Sequence, residues 1–162
     1  MRRMAPLAAV LLTLLLPAAP AAADDAAVFA AYTSHAKELK LAGKAYVRAA
    51  RAVRRTDWGR KAARKIISSD RLINRALTRI LRDARKAGPS TDNGTEARRC
   101  MLGHYSFWRK ANLIEMDAAG AGIKHRWMRL DRLYEKSNRT LAKAVPFRDC
   151  EEKAFAAAGV KR

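Results

Sequence analysis

Acidic side chains are scarce in this chain: 15 Asp and Glu stand against 34 Lys and Arg in 162 residues, a formal net charge of +19. Cysteine is scarcer still, with two residues, Cys100 and Cys150. Two cysteines make at most one intramolecular bridge. That excludes a multi-disulfide miniprotein and any zinc or iron–sulfur centre held by four cysteines. Beyond residue 20 the only prolines are Pro89 and Pro146, and aromatic residues make up 7% of the chain. A transmembrane anchor needs about 20 uninterrupted apolar residues, whereas Pro6, Pro17 and Pro20 confine the one long apolar stretch to fewer. Disorder is excluded from the other side, because 49% hydrophobic residues supply enough apolar surface to offset ordering entropy.

The N-terminus reads as a targeting segment. Arg2 and Arg3 precede the apolar run Leu7 to Leu16, and Ala21-Ala22-Ala23 provides an A-x-A cleavage site. The expected organisation is a secretory signal peptide over 1–23 and a single helical domain over 24–162, with the product secreted or held in the periplasm or cell envelope. Removal of Arg2 and Arg3 leaves the domain at +17. Disulfides persist in oxidising compartments, so Cys100 and Cys150 are expected to pair. Such a bridge closes a loop of about 51 residues. The rival use of Cys100, His104 and Cys150 as metal ligands lacks a fourth ligand, and no metal or cofactor is expected.

The fold class expected is all-α, an antiparallel bundle of four long helices and a short C-terminal one, closed by the disulfide. No proline interrupts 26–88, and the charges recur at helical spacing. In the first helix Lys37, Lys40, Lys44, Arg48, Arg51 and Arg55 step by three or four, opposite Tyr32, Leu39, Tyr46, Val47, Ala50 and Val53. A break is expected at Thr56–Gly59, with Thr56 or Asp57 capping the second helix. There Arg60, Arg64, Arg71, Arg75, Arg79, Arg82 and Lys86 oppose Ile66, Ile73, Leu77, Ile80, Leu81 and Ala84, with a kink or restart at Ser68-Ser69-Asp70. Gly88 to Thr95 reads as a loop ending in Thr95 as N-cap. The third helix has apolar positions around most of its circumference (Ala97, Cys100, Met101, Tyr105, Phe107, Trp108, Ala111, Ile114), as the central helix of a core should. Gly120-Ala121-Gly122 reads as a turn, followed by a fourth helix with the stripe Ile123, Trp127, Leu130, Tyr134, Leu141 and Val145. Pro146 is expected to stop it, and Asp149 to Ala158 to form the last helix, with Glu151 and Glu152 at the positive end of its dipole.

Charge is the strongest functional signal. Residues 37–86 hold 17 basic and four acidic side chains. Like charges three or four apart on a helix repel, and an anionic partner relieves this. Arginine predominates, and its planar fork matches phosphate and carboxylate. The expected function is polyanion binding without catalysis, through Arg48, Arg51, Arg55, Arg64, Arg71, Arg75, Arg79 and Arg82. Export narrows the partner to anionic lipid headgroups, phosphate-bearing envelope polymers or extracellular nucleic acid. Alongside stands a secreted hydrolase built on a His104–carboxylate dyad. With a hairpin turning near Gly120, His104 faces roughly Glu135 and lies within a turn of Asp131. A third class is a helical protein–protein interaction module, marked by an exposed apolar patch beside the stripes. Asn112 sits on the Met101, Tyr105 and Trp108 face, where a buried amide fixes helix register.

Overall fold

The computed structural model describes residues 21–56 and 59–160, with side chains described over 25–52 and 59–160. The first twenty residues of the segment read as a signal peptide lie outside these, as does the side chain of Arg55. Five helices follow one another: α1 (Ala21–Thr56), α2 (Arg60–Lys86), α3 (Asp92–Ile123), α4 (Trp127–Ala142) and α5 (Val145–Ala157). No strand occurs among the described residues, and no described helix is long and apolar enough to cross a membrane. The expected all-α bundle is the fold found.

The core forms where the apolar stripes meet. All six residues expected on the inner face of α2 are buried: Ile73, Leu77, Ile80, Leu81 and Ala84 cluster with Val28, Phe29, Leu39 and Ala42 of α1 and Met101 and Tyr105 of α3, and Ile66 clusters with Ala49 of α1 and Ala119 of α3. On α1 the arc is displaced: Val47 is exposed, while Ala42 and Ala49 face inward. α3 packs against each of the other four helices, the central role its all-round apolarity implies. Cys100 and Cys150 are joined by a disulfide, Cα–Cα 5.8 Å, which ties α5 to the first third of α3.

The boundaries differ from expectation in five places. Gly59 occupies the N-cap of α2 and offers no side chain, while Asp57 and the side chain of Thr56, the caps expected, lie outside the described residues. α2 then runs unbroken through Ser68-Ser69-Asp70, because the Ser69 hydroxyl donates within its own helix, to Ile66 O at 2.9 Å and Lys65 O at 3.0 Å. Thr91, not Thr95, caps α3, its hydroxyl accepting from Gly94 N at 3.0 Å. The interhelix loop therefore shrinks to a few residues, and Asp25 of α1 seals it. The Asp25 carboxylate accepts from Ser90 N at 2.9 Å and from the Thr91 hydroxyl, and these donors, Thr91 first, hold it below the usual carboxylate range.

The largest displacement is at the α3–α4 connection. Gly120 and Gly122 remain helical, and the chain turns at Lys124–Arg126, where His125 takes a left-handed φ of 53°. The turn thus falls several residues later than expected and resets the hairpin: Ser137 donates to Ala111 O at 2.9 Å. Pro146 does not stop α4, which ends at Ala142; it sits in the first turn of α5, where its missing N–H costs nothing. α5 reaches α3 closely enough that glycine is needed at one contact. A Cβ on Gly103 would lie 2.2 Å from the Phe147 ring.

Two outcomes follow for stability. Reducing the disulfide, or changing both cysteines to Ser, is expected to cost about 4 kcal/mol on the chain-entropy account, read as a lower urea midpoint. Gly103→Ala is expected to cost about 1–3 kcal/mol by overpacking against Phe147, read in the same titration on the oxidised protein.

Candidate functional site

The basic side chains of α1 and α2 stand outside this core. At about 100° per residue, Arg64, Arg71, Arg75 and Arg82 fall within roughly 40° of one another, on the side of α2 opposite its buried arc. Arg48 and Arg51 share a sector of roughly 80° with Lys37, Lys40 and Lys44, again away from the buried residues of α1. All four α2 arginines and both α1 arginines lie outside the buried set. Two of the expected arginines are not free cations: Arg79 pairs with Glu38 at 2.8 Å, and Arg82 with Asp83 at 2.8 Å. Arg82, then His35 at 2.8 Å, hold the Asp83 carboxyl down at about 2. Arg48, Arg51, Arg64, Arg71 and Arg75 form no ion pair among the described residues. The two helices share a groove of about 340 Å³ floored by Ala45, Ala49 and Ala52 and bordered by Arg48 and Lys65, so cations from both reach one concavity.

A second cationic surface lies on α4, outside the eight arginines expected. The fourth-helix stripe is only partly buried: Leu130 packs inward, while Trp127 is 47% exposed and Met128 beside it 77%. These two residues line an open concavity of about 840 Å³ with Arg126, Arg129, Arg132, Leu133, Lys136 and Arg139. Of these cations, Arg139 pairs with Glu135 at 3.5 Å. The signal for this surface is present in the sequence as Arg129, Arg132, Lys136 and Arg139, but the same spacing equally describes the solvent side of a fully packed helix.

The histidine dyad exists with a different partner. His104 Nδ1 lies 2.5 Å from Glu151 Oε2, and the Tyr105 hydroxyl donates to Glu151 Oε1 at 2.7 Å. Asp131 and Glu135, the expected partners, are exposed on α4, because the later turn carries them past His104 and lets α5 fold back instead. Glu151 is therefore not a solvent-facing dipole partner but wholly buried, and His104 is 6% exposed. The His104 ring stacks on Tyr105 and Trp108, with centroids 4.5 and 5.7 Å apart. The cavity between α1 and α3 is lined by Tyr105 and Trp108 but not by His104. This geometry locks α5 onto α3 and buries the imidazole.

A third polar group lies outside the sequence expectations. Asp70 of α2 is fully buried, and no described residue donates to either of its carboxylate oxygens. Asn74, one turn on, has a buried, unpartnered Oδ1, while its Nδ2 donates to Met116 Sδ at 3.4 Å. Across from them Glu115 of α3 accepts from the Tyr46 hydroxyl of α1. Asn112, the amide expected to set register, donates to Asp70 O at 2.9 Å. Tyr134 of α4 lies in the field of both carboxylates. Burial, then the charge of Glu115, raises the Asp70 carboxyl to about 8, and burial raises Glu115 as well. The tyrosine hydroxyls are pushed upward by burial and by these acids. The nearest sequence signal is Asp70 itself, which in isolation reads as a helix interruption.

No family model matches this chain, and no curated protein and no solved structure matches it, so the functional reading rests on these residues.

The acid cluster gives a pH dependence of known sign. Asp70 keeps its proton in the folded state up to about pH 8, whereas the unfolded chain releases it near 3.8. Its contribution is fully present below about pH 4 and is lost as pH rises through about 8. In metal-free buffer the melting temperature is expected to fall between pH 5 and 9, with Tyr46, Glu115 and Tyr134 the titratable groups facing Asp70. Asp70→Asn is expected to flatten that decline.

Proposed function

We propose that this is an exported, basic helical protein that binds polyanions through the outer faces of α1 and α2. The observation that carries the reading is the set of five arginines, Arg48, Arg51, Arg64, Arg71 and Arg75, which stand outside the core and which no carboxylate neutralises among the described residues. Surface ion pairs contribute little to folding. Leaving these guanidinium groups unpaired therefore costs the bundle little stability and keeps their bidentate hydrogen bonding available to phosphate or carboxylate. The reading supports contact with charge rather than sequence: such contacts give affinity that falls steeply with salt and carry no base information. Anionic lipid headgroups, phosphate-bearing envelope polymers and extracellular nucleic acid all present the required chemistry.

One observation favours lipid as a second reading. Trp127 and Met128 project beside Arg126, Arg129 and Arg132, an aromatic and a flexible apolar side chain flanked by cations. Interfacial aromatic residues sit at headgroup depth, and basic side chains near an anionic bilayer contribute about 1 kcal/mol each.

Binding of the oxidised protein to labelled polyphosphate and to phosphatidylglycerol vesicles, across a range of salt, tests both. Changing Arg48, Arg64, Arg71 and Arg75 to Ser is expected to weaken polyphosphate binding at least tenfold and to make the salt slope shallower by about one for each arginine that engages a phosphate. An unchanged Kd and slope counts against the α1–α2 surface. Trp127→Ala with Met128→Ala is expected to reduce vesicle binding alone; equal losses on both ligands count against the bilayer reading.

A further inference from the structure

We infer that the bundle interior holds a binding site for a hard divalent cation, formed by the carboxylates of Asp70 and Glu115 with the side-chain oxygen of Asn74. This inference is independent of the polyanion reading. Asp70 and Asn74 are one turn apart on α2 and so share a face. The Asn112–Asp70 hydrogen bond at 2.9 Å fixes α3 against α2 at the same level, which brings Glu115, one turn further along α3, to the cluster. Tyr46 from α1 and Tyr134 from α4 complete the surroundings, so four helices converge on the two acids.

Every unsatisfied atom here is an acceptor. Both Asp70 oxygens and Asn74 Oδ1 are buried without a donor among the described residues, and Glu115 accepts from the Tyr46 hydroxyl. A buried carboxylate without partners is costly, and such groups are normally paired or bound to metal. Yet in a chain with 34 basic side chains, none of those described forms an ion pair with Asp70 or Glu115. Protonating Asp70 removes its charge and supplies one O–H, which can serve Asn74 Oδ1 or Glu115 but still leaves the other Asp70 oxygen without a donor. A cation bound between the facing helices would give these acceptors a common partner. The set contains oxygen only, with no imidazole or thiolate, which selects the class that includes Ca²⁺, Mg²⁺ and Mn²⁺ over zinc or copper. Two carboxylates match the charge of a divalent ion. Helix bundles build metal sites in this way, from carboxylates on facing helices.

The test is thermal unfolding and calorimetric titration of the oxidised protein with CaCl₂, MgCl₂ or MnCl₂, against NaCl at equal ionic strength. At least one of these ions is expected to raise the melting temperature by several degrees near saturation. Binding is expected to reach a stoichiometry of one ion per chain in the calorimetric titration. Asp70→Asn and Glu115→Gln are each expected to abolish the response. No heat and no shift with any of the three ions between pH 6.5 and 8.5 overturns the inference. So does a response that survives both substitutions, since that places the ion on exposed acids. Should either variant fail to fold, substoichiometric Mn²⁺ added to the parent decides by NMR: broadening of the Asn74 and Asn112 side-chain amides first supports the site, and broadening confined to exposed carboxylates overturns it.

Discussion

A 32-residue helix on which four others pack keeps one exposed stripe, through Arg99, Ser106, Lys110, Leu113 and Asp117, and the constraint on its packed faces shapes the rest of the molecule. Polar residues placed on those packed faces must find partners inside the protein. His104 finds Glu151, Asn112 finds the Asp70 carbonyl, and Glu115 finds Tyr46. Each of those pairs reaches a different helix, so the polar groups of α3 fix the positions of α5, α2 and α1 in turn. The disulfide acts at the same place as the first of them, with Cys150 next in sequence to Glu151 and Cys100 one turn before His104. Covalent and hydrogen-bonded attachment of α5 therefore reinforce each other, and a short helix that buries only Glu151, Ala154 and Phe155 is held in register.

Charge is sorted by the same packing. Acids outside the core meet specific donors: Asp83 meets Arg82 and His35, Glu96 meets Arg99, and Glu38 meets Arg79. These local bonds consume a few cations and leave the outward faces of α1, α2 and α4 strongly positive. With 34 basic side chains to 15 acidic ones, more than half of the bases have no acid of their own within the chain. The surface is thereby complementary to anions whatever their source, and the apolar tip at Trp127 and Met128 makes one part of it different in kind from the rest.

Helix identity and the inner face of α2 were legible because periodicity reports them directly: a six-residue apolar stripe with basic residues opposite has one stable placement. Boundaries were less legible where a residue with strong local preferences is overruled by its surroundings. Gly120 and Gly122 suggest a turn, yet small residues at the end of α3 also suit close packing, and Ala118, Ala119 and Ala121 there are buried. That misplacement propagates, since moving the turn moves every cross-hairpin pair; His104 then appears to face Glu135 when it faces Glu151. The arginine surface is visible in the spacing of the residues, apart from the acids that claim Arg79 and Arg82, which come from another helix or a neighbouring position and leave no periodic trace. The Asp70 cluster is invisible for a deeper reason. Its members, Tyr46, Asp70, Glu115 and Tyr134, sit on four helices, and each alone resembles an ordinary polar position.

That cluster also decides which electrostatic effect prevails inside a strongly basic protein. Outside the core, Asp25, Asp83 and Glu96 are lowered, each by specific donors. Asp70 and Glu115 move the opposite way. Surface cations act through solvent, where salt limits their reach to about 10 Å, whereas desolvation acts on the buried group itself and is not screened. Burial therefore wins at Asp70, and the outer charge is a poor guide to what the interior attracts. The same chain can present a cationic exterior to polyanions and an acidic, oxygen-lined interior to a small cation, because water and salt separate the two fields.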